Sequence, residues 1–213
     1  TYAGTYGGMY YTTSGSSPVY LTQGTAGALT VGQFKVTAAS LLSVNIGRQP
    51  TASDTFEVPQ SEGVLADGKS YCELRDVAIR FSGHFGVMLA NTTTLSNFTL
   101  RRCDIGYGTG DHLNAGTYAI NCLIEDCWFH DQPGDLGDGV SFHSVAAGAL
   151  RSSATIRRCL FQRVRKNGIV NSSLGTFLVE DCGFDGANMV SYTDGVDGGS
   201  HTIRRCWFNN DLP

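Results

Sequence analysis

Six stretches of the chain share one pattern of apolar and polar positions. They are Leu74–Ile79 (LRDVAI), Leu100–Ile105 (LRRCDI), Ile124–Phe129 (IEDCWF), Ile156–Phe161 (IRRCLF), Val179–Phe184 (VEDCGF) and Ile203–Phe208 (IRRCWF). Aligned, they form columns of uniform chemistry. An aliphatic residue opens each copy and a charged pair follows. Then come Val77, Cys103, Cys127, Cys159, Cys182 and Cys206, and two places on Ile79, Ile105, Phe129, Phe161, Phe184 and Phe208. Alternate residues of a strand share a face, so the apolar positions on either side of the charged pair each fit a period of two. Across the pair the offset is three. The chain is therefore expected to turn a corner at the charged pair and resume as a second strand.

Counted on the Val/Cys column, the copies lie 26, 24, 32, 23 and 24 residues apart, the period of a coil that returns to one place each turn. Two strands and a corner per turn predict a parallel β-helix. Runs opening with Gly suit the third strand: GVMLAN from Gly86, GTYAI from Gly116, GVSFHS from Gly139 and GIVNS from Gly168. Residues 69–213 then make about six rungs, a stack of about 30 Å at about 4.8 Å per rung. The second member of the charged pair runs Asp76, Arg102, Asp126, Arg158, Asp181, Arg205, alternating in sign, so stacking is expected to set each charge beside opposite ones above and below. Exposed pairs of this kind contribute only about 0–1 kcal/mol each. The alternation and a net charge of −4 argue against a basic face for nucleic acid.

Residues 1–68 lack the repeat and are dominated by Thr, Ser, Gly and Tyr. Segments such as PVYLTQ from Pro18 and DTFEVP from Asp54 read as strands of a small β module. Its start, with Tyr2, Tyr6, Tyr10 and Tyr11, reads as an extended arm that a neighbouring subunit would hold. It has neither the basic start nor the apolar core of a signal peptide, and no 18-residue apolar run predicts a membrane span. With 27 Gly among 213 residues, the composition suits an all-β protein full of turns.

Seven cysteines raise the question of disulfides or a metal. Five stand in the column after the corner, and Cys72 and Cys122 stand two residues before Leu74 and Ile124, so all seven are expected to point inward as small hydrophobes. One thiol per rung matches no paired zinc pattern, and no metal or cofactor is expected. Unpaired thiols suit synthesis in a reducing cytoplasm, and the sequons at Asn91, Asn97 and Asn171 are then accidental.

Trp128 and Trp207 fall between core positions and face outward, as interface anchors or sugar-stacking surfaces. The longest interval contains HDQPGDLGDGVSFHS from His130 to Ser144, an insertion that would project as a loop. There Asp131, Asp135 and Asp138 lie near His130 and His143. Glycoside hydrolysis needs two carboxylates flanking the bond, whereas Gly and Asp equally shape turns. The run TDGVDGGSH from Thr193 is similar to the NTDG-D element of polygalacturonase-type hydrolases, and that similarity would make Asp194 a catalytic carboxylate. Thr replaces its Asn, however, and no Asp-Asp pair or Gly-His-Gly follows. His201 falls in the inward column and reads as a packed histidine.

The repeated phrase resembles the pectin-lyase-like right-handed parallel β-helix superfamily, whose rungs commonly read apolar, any, polar, Asn, Cys or apolar, any, Phe or Ile. Arg or Asp stands here where Asn often forms the corner ladder. The resemblance covers about two thirds of the chain and implies an all-β fold, a short right-handed β-helix of about six rungs after the N-terminal module. Fold alone does not give function. The superfamily includes polysaccharide lyases, hydrolases and epimerases, and also phage tailspikes and other virion proteins. Resemblance to the virion type implies a structural protein of a tailed bacteriophage. The expected form is a capsid decoration or cement protein that stabilises the shell as a homotrimer. It would be made in the host cytoplasm and displayed on the virion surface. Expected partners are its own copies, the major capsid protein or other virion subunits, and a surface glycan; nucleic acid and membrane are not. Tyr2, Tyr6, Tyr10, Tyr11, Trp128, Trp207, His130 and His143 are the expected binding or interface residues, and no residue is expected to be catalytic. The alternative is a polysaccharide-binding or polysaccharide-degrading, tailspike-like lyase or hydrolase using Asp135, Asp138 and Asp194.

Overall fold

The computed structural model describes residues 9–13, 16, 18–23, 28–31, 33–38, 41–49, 51–57, 62–90, 93–116, 118–132, 137–142, 152–172, 175–187, 189–191 and 200–209. The chain divides into two compact units, 1–60 and 61–213.

In the first unit, Met9–Thr13 lies inside a five-stranded sheet, antiparallel to Val19–Gln23 on one side and to Asp54–Glu57 on the other. Gln33–Ala38 runs parallel to Val19–Gln23 and antiparallel to Leu41–Asn45. Tyr10 and Tyr11 therefore belong to a central strand, paired with Tyr20 and Val19 and with Glu57 and Phe56, and not to a free arm. Tyr and Thr favour strands, which a reading from bulk composition overlooked. Tyr2 and Tyr6 lie outside the described residues.

The second unit is a parallel β-helix of three six-stranded sheets. Sheet I holds Glu73–Arg75, Thr99–Arg101, Cys122–Glu125, Ala154–Arg157, Thr176–Glu180 and Ser200–Arg204. Sheet II holds Ala78–Arg80, Asp104–Gly106, Trp128–Gln132, Leu160–Val164, Gly183–Asp185 and Trp207–Asn209. Sheet III holds Val64–Leu65, Val87–Ala90, Leu113–Ala115, Val140–Phe142, Ile169–Asn171 and Met189–Ser191. The first strand of sheet III precedes Lys69, so the coil begins earlier than the repeat indicates.

The third strand of the second rung is Leu113–Ala115, not the run from Gly116, whose Ala119–Ile120 pairs instead with Leu95–Ser96 in a separate two-stranded sheet. In register, His112 stands where the neighbouring rungs carry Gly86, Gly139 and Gly168. The glycine cue therefore failed at that rung.

Register turns the sequence columns into physical stacks. Phe129, Phe161, Phe184 and Phe208 lie face to face with centroids 5.0, 5.0 and 4.8 Å apart. Beside them, each column thiol points at a carbonyl of the preceding rung, as Cys127 Sγ does at Leu100 O, 3.8 Å away. Five cysteines are buried and Cys206 is half-buried, but Cys72 is exposed, contrary to the inward expectation. Among the described residues its sheet has no earlier strand to cover it, whereas Phe98 and Cys122 in the same column are buried.

The corner between sheets I and II is made by one left-handed residue per rung. Asp76, Arg102, Asp126, Arg158, Asp181 and Arg205 have φ of 49–57°. For residues other than glycine this costs about 1–2 kcal/mol each. Hydrogen bonds run through the bend, for instance from Arg102 N–H to Glu125 O at 3.1 Å, so the ladder is not interrupted. The side chains pair in one direction only: Arg102 holds Asp76, Arg158 holds Asp126 and Arg205 holds Asp181, each through Nε at 2.6 Å. Opposite charges above and below every position were expected. The longer arginine reaches back one rung, while the short aspartate cannot reach the next. Buried Glu125 does bridge both ways, meeting Arg101 at 2.6 Å and Arg157 at 2.7 Å.

Candidate functional site

The outer face of sheet II carries two columns. One is Ala78, Asp104, Trp128, Leu160, Gly183, Trp207; the other is Arg80, Gly106, His130, Gln162, Asp185, Asn209. Gly106 makes room for His130: a Cβ there would come within 2.5 Å of the imidazole. The ring is consequently only 1% exposed although it points outward. Its Nε2 meets Asp104 Oδ1 at 2.6 Å and its Nδ1 meets Asp131 Oδ2 at 2.7 Å. Both ring nitrogens are thus engaged with carboxylates.

Asp131 turns the second corner with φ 50°, as Phe81, Tyr107 and Arg163 do in their rungs. Arg163 grips it with Nε to Oδ1 at 2.5 Å and Nη2 to Oδ2 at 2.8 Å. Burial would raise the Asp131 carboxyl, but the bonds from Arg163 and His130 outweigh it and hold the pKa well below the usual range. Arg80 pairs with Asp104, and Tyr107 meets His130 edge-on at 5.4 Å. Burial and nearby Asp131 push the Tyr107 phenol up.

This cluster fixes Trp128, whose ring stacks on His130 at 3.8 Å and 21°. Farther along the column the Trp207 ring lies over Gly183, where a Cβ would fall 2.3 Å from it. Between the two rings is an open groove of about 390 Å³, with Leu160 and Gly183 among its lining residues and Asp126, Arg158 and Asp181 along the corner side. Trp128 and Trp207 are 36% and 52% exposed, as expected.

A sequence profile described as a right-handed β-helix region matches residues 51–211. The chain belongs to the right-handed β-helix family. Comparison with curated proteins and with solved structures finds no match.

Within this β-helix, the other predicted residues do not gather into a catalytic pair. Asp138 is 1% exposed and accepts from Asn167 Nδ2 at 2.8 Å and Lys166 Nζ at 3.3 Å. Its own N–H donates to Asp111 Oδ1 at 2.7 Å, so it is one step of a buried ladder entering sheet III and not an exposed acid or base. Asp135, His143 and Asp194 lie outside the described residues. His130 is a packed strand residue and not part of a loop. His201, half-buried, lies 5.9 Å from Phe177 and meets Asn171, as its inward position implied. Among the described residues no group of three potential ligands could hold a metal ion.

Sequence reasoning missed Asp104, Arg163, Tyr107, Leu160 and Gly183. The signal was present. Aligning the phrase one residue beyond its phenylalanine column puts Gly106 directly beside His130.

Proposed function

We propose that the protein is a structural, non-enzymatic subunit of a tailed-phage virion surface, a capsid decoration or cement protein that works as a homotrimer. Assembly is the part the geometry supports best. In the last rung Ile203 and Phe208 are 47% and 51% exposed, although Val179 and Phe184 in the same inward columns are 2% and 0% exposed. Among the described residues no strand pairs with this edge, and half-exposed core positions there make a surface suited to a partner. The virion setting and the trimer rest on the superfamily resemblance. Support for the non-enzymatic part comes from outer carboxylates: Asp104, Asp126, Asp131 and Asp181 are each held by arginine or histidine, and Asp185 accepts from Gln162 and Asn209. A glycosidase would need two such groups free to face its substrate.

The test is the solution mass by light scattering of the full chain and of Phe208→Asp. A trimer that falls apart in the variant is the expected result. A monomer in both overturns the reading, and reducing-end release from polysaccharides would overturn its non-enzymatic part.

A further inference from the structure

We propose that Cys182 and Cys206, the last two thiols of the inner column, form a two-coordinate site for a soft monovalent cation of the copper(I) class. Both sulfurs belong to one chain, so the site does not depend on the assembly proposed above.

The register sets the geometry. Cys182 Sγ lies 3.3 Å from Glu180 O and 3.7 Å from Ile156 O, and Cys206 Sγ lies 3.4 Å from Arg204 O and 3.8 Å from Val179 O. The two side chains thus take one arrangement in successive rungs, and their sulfurs stand one rung apart. In the same two rungs Phe184 and Phe208 lie 4.8 Å from each other. Two thiolate–metal bonds of about 2.3 Å, laid end to end, span about 4.6 Å. A cation midway between the sulfurs is therefore held by both while the backbone stays in place.

The donors select the class. Among the described residues no group of three potential ligands could hold a metal ion. Zinc takes four ligands in a structural site, and calcium and magnesium take oxygens. A soft monovalent cation is satisfied by two sulfurs in line. Packing alone does not require sulfur in this column, because Val77 fills the same place in the first rung. Access follows from position. Cys182 is buried but Cys206 is half-buried, and among the described residues no strand covers the sixth rung.

Binding breaks two S–H bonds and forms two sulfur–metal bonds. Both protons pass to solvent, no electron moves, and the pair carries one negative charge at the end of the coil, where water reaches Cys206. The S–H···O contacts given up are long and weak. A hydrogen bond from Cys159 already holds the Cys182 thiol below its ordinary value, while burial pushes Cys206 up.

The probe is silver(I), a redox-stable ion of the same class, added in chloride-free buffer to the full chain carrying Cys72→Ser, which removes the exposed thiol outside the column. An excess of glutathione strips ions held by single thiols. Native mass spectrometry should show one silver retained per chain. Cys182→Val and Cys206→Val, each placing in the column the residue it already holds at Val77, should both lose the ion with unchanged circular dichroism. Release of two protons per ion should weaken retention about a hundredfold per pH unit from pH 8 to pH 6, against about tenfold for one thiol.

The proposal is overturned if the folded chain retains no silver against glutathione, or if either valine variant retains it as well as the parent. A one-proton pH dependence overturns it too, as does uptake that begins only when circular dichroism reports unfolding. Tighter retention of zinc than of silver would overturn the assignment to a soft monovalent ion.

Discussion

His112 should make the β-helix acid-sensitive well above the pH at which its carboxylates titrate. The ring is fully buried, lies parallel to Phe129 at 6.4 Å, and among the described residues has no hydrogen-bond partner at either nitrogen. Burial, with His130 adding in the same direction, holds its pKa down to about 3. In the unfolded chain the value returns to about 6.5. Between those limits the unfolded state binds the proton and the folded state does not, so stability is fully present above pH 6.5 and falls with pH until about 3. The loss from pH 7 to pH 5 is about 2 kcal/mol, and the whole shift corresponds to about 5 kcal/mol as an upper bound. Carboxylates lowered by their arginines, such as Asp126 and Asp181, act in the same sense but only below their ordinary values, so they are nearly silent at pH 5. Urea unfolding midpoints of wild type, His112→Leu and His201→Asn at pH 7, 6 and 5 isolate the effect, since burial also lowers His201. The wild type and His201→Asn should lose most of that 2 kcal/mol, and His112→Leu should lose little. An equal loss in His112→Leu would refute the assignment.

Two further outcomes follow from the stacked core. Phe161→Ala, which removes a fully buried ring lying between Phe129 and Phe184, should cost about 3–5 kcal/mol by chemical denaturation, and a loss below 1 kcal/mol would mean the stack is not packed as described. Toward a thiol reagent under native conditions Cys72 should react first and Cys206 more slowly, while the five buried thiols wait for unfolding; burial alone pushes Cys122 up to about 12. Several fast thiols would contradict that order.

The parts of the fold legible in the sequence are those where one side-chain chemistry repeats at one register. Aliphatic, thiol and phenylalanine columns must be uniform because each residue packs on its equivalent in the next rung, and that uniformity revealed sheets I and II and the corner between them. The second corner has the same left-handed backbone, but Phe81, Tyr107, Asp131 and Arg163 share no side-chain type, so nothing in the residues announces it. His112 hid the third strand of its rung for the same reason. The site was half legible: Trp128 and Trp207 followed from strand alternation, while the seat of His130 required knowing that the strand runs on through Gln132.

The two polar ladders on this face complement each other. At the corner, ion pairs join rungs one and two through Arg102 and Asp76, two and three through Arg101 and Glu125, three and four through Arg157, Arg158, Glu125 and Asp126, and five and six through Arg204, Arg205, Glu180 and Asp181. Among the described residues no ion pair joins rungs four and five there. Sheet II supplies that junction, where Gln162 Nε2 donates to Asp185 Oδ2 at 2.9 Å, in a series that also runs Arg80 to Asp104, Asp104 to His130, Asp131 to Arg163, and Asn209 to Asp185. Every junction between rungs is thus bridged on the outside as well as by Phe or Ile within. The face series also seats Trp128, so the bonds that tie the rungs together are the same ones that hold the groove's wall in place.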